Sequence, residues 1–149
     1  MLKIEHLIKV YSNGKKAVDD LSLMVESGDI YGFIGANGAG KTSTIKSIVG
    51  IHDFDKGEIY ICGHSIRKEP LLCKKKMAFL PDNPDLYKNL TARQFLDFVA
   101  DIYRVSMEKR QAAIEKYSKM FELDTSLDQL ISAYSHGMKQ RLALIAALL

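Results

Sequence analysis

Cysteine is scarce in this chain, and its placement excludes two kinds of chemistry. Cys62 and Cys73 form no Cys-x-x-Cys pair and have no histidine at metal-ligand spacing. A disulfide framework and a zinc site are therefore not expected, and free thiols in a reducing cytosol are. Charge of one sign is also lacking: 21 Lys and Arg against 18 Asp and Glu leave a net charge of +3, too mild and too dispersed to imply a nucleic-acid partner. The one compact basic run, Lys74-Lys75-Lys76, adjoins Leu71, Leu72 and Met77 and reads as a solvated helix face. No apolar run approaches the roughly 20 residues of a membrane span. The opening MLKIEHLIKVYSNGKK holds no apolar stretch of signal-peptide length, so any membrane connection is expected to pass through a partner. Repeats and low-complexity linkers are absent too.

What is present suits one folded domain: 149 residues with 47% hydrophobic and 26% charged content can bury a core. Leu2, Ile4 and His6 alternate with polar neighbours, as do Leu21, Leu23 and Val25, with turn chemistry between them at Asn13 to Lys15; two early strands joined by a turn are expected. After the Gly28-Asp29 turn, IYGFIG reads as a strand buried on both faces. Thr42 to Val49 switches to helical spacing, with Ile45, Ile48 and Val49 on one side and Gly50 as the stop signal. Further strands are expected at Glu58 to Cys62 and, ended by Pro81, at Met77 to Leu80. From Thr91 the pattern is helical. Thr91 and Gln94 form a capping box, Phe95, Phe98, Val99 and Ile102 make an apolar stripe, and a second helix runs from Met107 to about Phe121 on Ile114, Tyr117 and Phe121.

Between strand and helix lies GANGAGKTST, Gly35 to Thr44. Gly35, Gly40, Lys41 and Thr42 stand in the G-x-x-x-x-G-K-[ST] spacing of a phosphate loop. Its glycines let successive N–H groups converge on phosphate oxygens where a side chain would block the approach. The start of the following helix adds the positive end of its dipole. Lys41 supplies a point charge to the β and γ phosphates, and the Thr42 hydroxyl a ligand for Mg²⁺. No Asn-Lys-x-Asp element follows the loop, and Asp29 to Gly32 has its Asp-x-x-Gly spacing on the wrong side of it, so guanine specificity is unsupported.

With these residues in order, the chain resembles the ATP-binding subunits of ABC transporters, and the resemblance spans nearly all of it. It implies an α/β fold: a P-loop NTPase (RecA-like) core with an N-terminal antiparallel β subdomain and a C-terminal helical subdomain, divided as residues 1–90 and 91–149 and incomplete. It implies ATP and Mg²⁺ as cofactors. Tyr11 takes the position of the ring that stacks on adenine; the alternative is an ordinary strand aromatic. Gly35, Ala36, Asn37, Gly38, Ala39, Gly40, Lys41, Thr42 and Ser43 would bind the phosphates. FLPD, Phe79 to Asp82, is similar to the segment that senses the γ-phosphate, making Thr42 and Asp82 the metal ligands. YSHGMKQR resembles the family signature, in which Ser135, His136, Gly137 and Met138 would cap the ATP of a second subunit; the plain alternative is a helix capped by Ser135.

Three positions depart from the family pattern: Asp82 stands for glutamine, His136 for the first signature glycine and Met138 for the final glutamine. LPDNPDLYKNLT resembles the exporter branch whose ATPase and membrane parts are separate chains, and NPDLYKNL is either the docking segment for that permease or a surface loop. The resemblance further implies a homodimer on the cytoplasmic face of the membrane. The catalytic Asp-Glu pair on a second buried strand does not occur in these residues, so no catalytic residue is assigned. The expectation is the N-terminal part of a longer domain, binding ATP but hydrolysing it poorly, with the Ile30 to Ile34 strand left with an exposed apolar edge. The alternative is a nucleotide-binding regulatory module without productive hydrolysis.

Overall fold

The computed structural model describes residues 1–149, which divide into two compact units, Met1–Ala78 and Phe79–Leu149. The first is built on a four-stranded sheet of β1 (Leu2–Val10), β2 (Lys16–Val25), β3 (Lys56–Ile61) and β4 (His64–Ser65), ordered β2-β1-β3-β4. All neighbours are antiparallel. The β1–β2 turn is closed by Gly14 N–H donating to the Tyr11 carbonyl at 2.8 Å and Tyr11 N–H to that of Lys15 at 2.9 Å. Gly14 supplies the positive φ of 78° that a side chain would resist.

The alternation expected on β1 breaks at His6. This residue is exposed with φ 51°, its N–H donates to Ser22 Oγ at 3.0 Å and its ring contacts Asp20. A bulge there moves the inward position to Leu7, so Ile4 and Leu7 are the buried pair. They form a core with Val18, Phe54, Ile59, Ile61, Ile66 and Cys73. Burial pushes the Cys73 thiol up, and both cysteines are free.

Two expected strands are not formed. Ile30 to Ile34 has no regular structure and both isoleucines are fully exposed; Met77 to Leu80 is irregular as well, with Phe79 and Leu80 exposed. An apolar run states a preference for burial, but a strand also needs a neighbouring backbone to take its N–H and C=O groups. The four paired strands here offer neither segment one. α1 (Lys41–Ile48) forms as its spacing predicts but buries Ser43, Thr44 and Ser47 rather than Ile45. α2 (Pro70–Lys74) completes this unit.

The second unit packs α3 (Ala92–Ile102), α4 (Met107–Met120) and α5 (His136–Leu148) with two short 3₁₀ turns around Phe95, Leu96, Ile114, Leu123, Leu127, Ile131, Tyr134, Leu142 and Ile145. The Thr91–Gln94 capping box is present, with bonds of 3.2 and 2.9 Å. The apolar stripe of α3 is rotated from its expected phase: Ala92, Phe95, Leu96 and Ala100 are buried, while Phe98 is 42% and Ile102 60% exposed. Two overlapping i, i+3/i+4 stripes are available on this helix. The one that wins brings two alanines, which allow close helix approach, into the core, and Phe98 is partly covered by the edge-on ring of Tyr87 at 5.5 Å. α4 is polar and is tied to α3 by buried Arg110, which donates to Asp97 at 3.3 Å and to Asp101. No helix is long and apolar enough to cross a membrane.

Candidate functional site

The phosphate-loop residues converge as the spacing predicts. Gly40 caps the start of α1 with φ 90°, and a Cβ placed there would lie 2.2 Å from the Ala17 carbonyl oxygen. Backbone meets backbone at that point, so only glycine fits. Gly38 also has positive φ, 85°, and Ala39 N–H donates to the Ala36 carbonyl at 3.2 Å. The Lys41 ammonium folds back to donate to Gly35 O at 2.6 Å and Ala36 O at 2.8 Å. The loop is thus a backbone ring drawn together by one cation.

What this ring can hold follows from its unclaimed donors. The first intrahelical bond is Thr44 N–H to Gly40 O at 2.8 Å, and no side chain caps the helix nor does any acid stand in its first turn. The N–H groups of Lys41, Thr42 and Ser43 therefore lack helical acceptors, at the positive end of the dipole and beside an ammonium. Gly35, Ala36, Asn37, Gly38, Ala39 and Thr42 are exposed. A polyphosphate fits this donor set. Mg²⁺ fits it in the usual manner of a cation sharing one hydroxyl, here that of Thr42, with substrate phosphates; no group of three His, Cys, Asp or Glu converges anywhere to cage an ion by itself.

Tyr11, at the end of β1, is brought to the same helix. Its hydroxyl lies 2.9 Å from the buried Ser43 Oγ and 3.4 Å from His52 Nδ1. The imidazole stands edge-on to the phenol ring, 6.0 Å between centroids at 86°. His52 escaped the sequence reading, since nothing in its neighbourhood distinguishes it from a turn residue and only the fold brings it to Tyr11. Asp82 belongs to the other unit, where its side chain is exposed and its carbonyl accepts from Gln140 Nε2 at 3.0 Å.

The signature residues form the start of α5. Ser135 is the N-cap, its Oγ accepting from Met138 N–H at 3.2 Å. His136 and Gly137 are exposed in the first turn, and a Cβ on Gly137 would meet nothing within 4 Å. Met138 is different: its N–H is used by the cap and its side chain packs against the core of this unit. Capped helix and anion-presenting terminus are therefore compatible here, because the cap uses the Ser135 oxygen and leaves the hydroxyl hydrogen and the N–H groups of His136 and Gly137 to act as donors.

Residues 18–149 match the family described as ABC transporter. The bacitracin transport ATP-binding protein of Bacillus licheniformis is 37% identical over 149 residues, covering 100% of this chain and 47% of that protein. A solved ATP-binding subunit of an ABC transporter superposes with TM-score 0.91 at 29% identity, over 99% of this chain and 61% of that one. An ATP-binding cassette solved as a dimer in a post-hydrolysis state with ADP and Pi gives TM-score 0.84 at 25% identity, over 99% and 69%. The chain spans about half the length of the curated relatives it matches. By the extent of that match, and with its phosphate loop closed as described, the chain belongs to the ABC transporter family, as ATP-binding domain sequence on the P-loop NTPase fold.

Proposed function

We propose that this chain binds Mg-ATP on Gly35 to Ser43 and is the nucleotide-holding part of the energy-coupling subunit of an ABC exporter. The observation that carries the reading is the ring closed by Lys41 over Gly35 and Ala36, with Gly40 fitted against Ala17 and three N–H groups unclaimed at the start of α1. Bound phosphates would take over the Lys41 ammonium from the two carbonyls and accept from those N–H groups. Mg²⁺ supplies charge neutralisation on the phosphate oxygens; Thr42 would hold it through its hydroxyl. Tyr11 would stack on adenine.

Ser135, His136 and Gly137 would cap the γ-phosphate of nucleotide bound to a second copy, with the half-buried Met138 packed against the core of this unit as support. The dimeric cassette among the solved relatives favours this arrangement. ATP hydrolysis requires a water-activating carboxylate that these residues do not include. The segment Asn83 to Leu90, where Tyr87 is exposed and Leu86 half-buried, would dock a separate permease, placing the protein at the cytoplasmic face; its LPDNPDLY sequence supports the exporter branch.

The test is calorimetric titration of Mg-ATP into the protein and into its Lys41→Met variant, which keeps the aliphatic stem. Micromolar to millimolar binding that falls at least about tenfold in the variant is expected, since a charge-assisted contact is worth about 1.5–3 kcal/mol. Equal binding by the two proteins would remove the site.

A further inference from the structure

We infer that His52 is a positioning residue for the base-stacking ring: it holds Tyr11 in place and so sets affinity for the base end of the nucleotide while leaving the triphosphate end unaffected. The inference rests on the reading of Gly35 to Ser43 as an ATP site and names a residue that discriminates within it.

Tyr11 is the first residue after β1, and the bonds of its turn, Gly14 N–H to Tyr11 O and Tyr11 N–H to Lys15 O, fix its backbone but not its ring. The ring is fixed by three other contacts. Ser43 Oγ, on the first turn of α1, lies 2.9 Å from the phenol oxygen. His52 Nδ1, just past the last turn of the same helix, lies at 3.4 Å, with its ring edge-on. The Lys9 ammonium stands 5.5 Å from the phenol centroid.

His52 is itself tied down, because its N–H donates to the Lys46 carbonyl at 3.1 Å and the residue is half-buried. A hydroxyl can donate once and accept. The Tyr11 hydroxyl can bond Ser43 and His52 together, either donating to one and accepting from the other or accepting from both. The phenol is thereby bracketed from both ends of α1, the helix whose N-terminus faces the phosphates. A stacking ring that is already oriented loses less rotamer freedom when the base arrives, and an edge-on aromatic contact adds to the orientation. Loss of His52 removes one of the three restraints and leaves the ring held by Ser43 and Lys9 alone, while the internal bonds of the phosphate loop, which run among Gly35, Ala36, Gly40, Lys41 and Thr44, do not involve His52.

The experiment compares dissociation constants for Mg-ATP and Mg-tripolyphosphate, which shares the phosphates and lacks the base. His52→Ala should weaken Mg-ATP about three- to tenfold and tripolyphosphate less than about twofold. His52→Asn places a polar atom where Nδ1 stood and should recover most of the loss. In a Tyr11→Phe background, which removes the hydroxyl and keeps the ring, His52→Ala should add almost nothing, because the two act through one bond. Equal losses for both ligands, or additive losses in the double variant, would show a merely structural role and overturn the inference. Should His52→Ala fail to fold, His52→Leu, which keeps bulk and removes Nδ1, takes its place in the same comparison: a loss for Mg-ATP alone supports the inference and equal losses for both ligands overturn it. If the unaltered protein binds neither ligand, it is the ATP site that has failed, and this inference falls with it.

Discussion

At the scale of single residues, Gly40 and Gly137 are the same amino acid in opposite situations. At Gly40 a methyl group would meet the Ala17 carbonyl oxygen at 2.2 Å, on a backbone with φ 90°. Gly40→Ala is expected to cost about 2 kcal/mol or more and to abolish Mg-ATP binding, read by thermal melting and titration. Gly137 sits in α5 with open space around it, so Gly137→Ala should stabilise the helix, by about 0.5 kcal/mol. If the start of α5 approaches a partner's nucleotide, the same methyl will obstruct it. A variant that melts higher but loses ATP-driven dimerisation supports the signature reading; unchanged dimerisation removes Gly137 from it. The glycine pattern was legible in the sequence because only a few residue types satisfy a positive φ. The His52–Tyr11 contact was not, because it links positions far apart in the chain through side chains with many other possible partners.

At the scale of elements, capping and burial decide what the helices tolerate. The Ser135 oxygen accepts from Met138 N–H, and Ser135→Ala should lower stability by about 1 kcal/mol, measured by denaturant unfolding. Just before that helix, the buried Tyr134 hydroxyl donates to the Ser126 carbonyl at 2.7 Å. Burial, first, and the nearby Asp128, second, push its pKa above the ordinary phenol value. The neutral phenol is thus favoured in the folded chain, and its contribution is intact below the unfolded value of about 10. It is lost as pH rises through the folded pKa, because the unfolded chain releases its proton first. Melting temperature should therefore fall more steeply above pH 10 in the parent protein than in Tyr134→Phe. The Thr91–Gln94 box was legible because both of its partners lie within one turn. The phase of α3 was not, since Phe98 and Leu96 are equally apolar and only the packing partners choose between their stripes.

At the scale of the whole molecule, the exposed run from Ile30 to Ile34 is expected to govern solution behaviour. Ile30, Tyr31 and Ile34 are all exposed, and an apolar segment with unpaired backbone groups recruits other chains. Sedimentation velocity should show self-association that grows with concentration and weakens in Ile30→Lys or Ile34→Lys. A concentration-independent monomer for the parent protein would contradict this. The expectation of an exposed apolar edge holds at these side chains, while that of a formed strand does not.

The residues by themselves determined the phosphate loop, the hairpin before it, the capped helices after it and the family. Each of these depends on groups within a few positions of one another, where residue type nearly fixes backbone geometry. Tertiary structure alone decided which face of α1 and α3 is buried, where β1 bulges at His6, which apolar runs become strands and which histidine touches Tyr11. Those outcomes turn on what stands opposite each group in space, and a strand or a stacked ring is completed by its neighbour rather than by its own sequence.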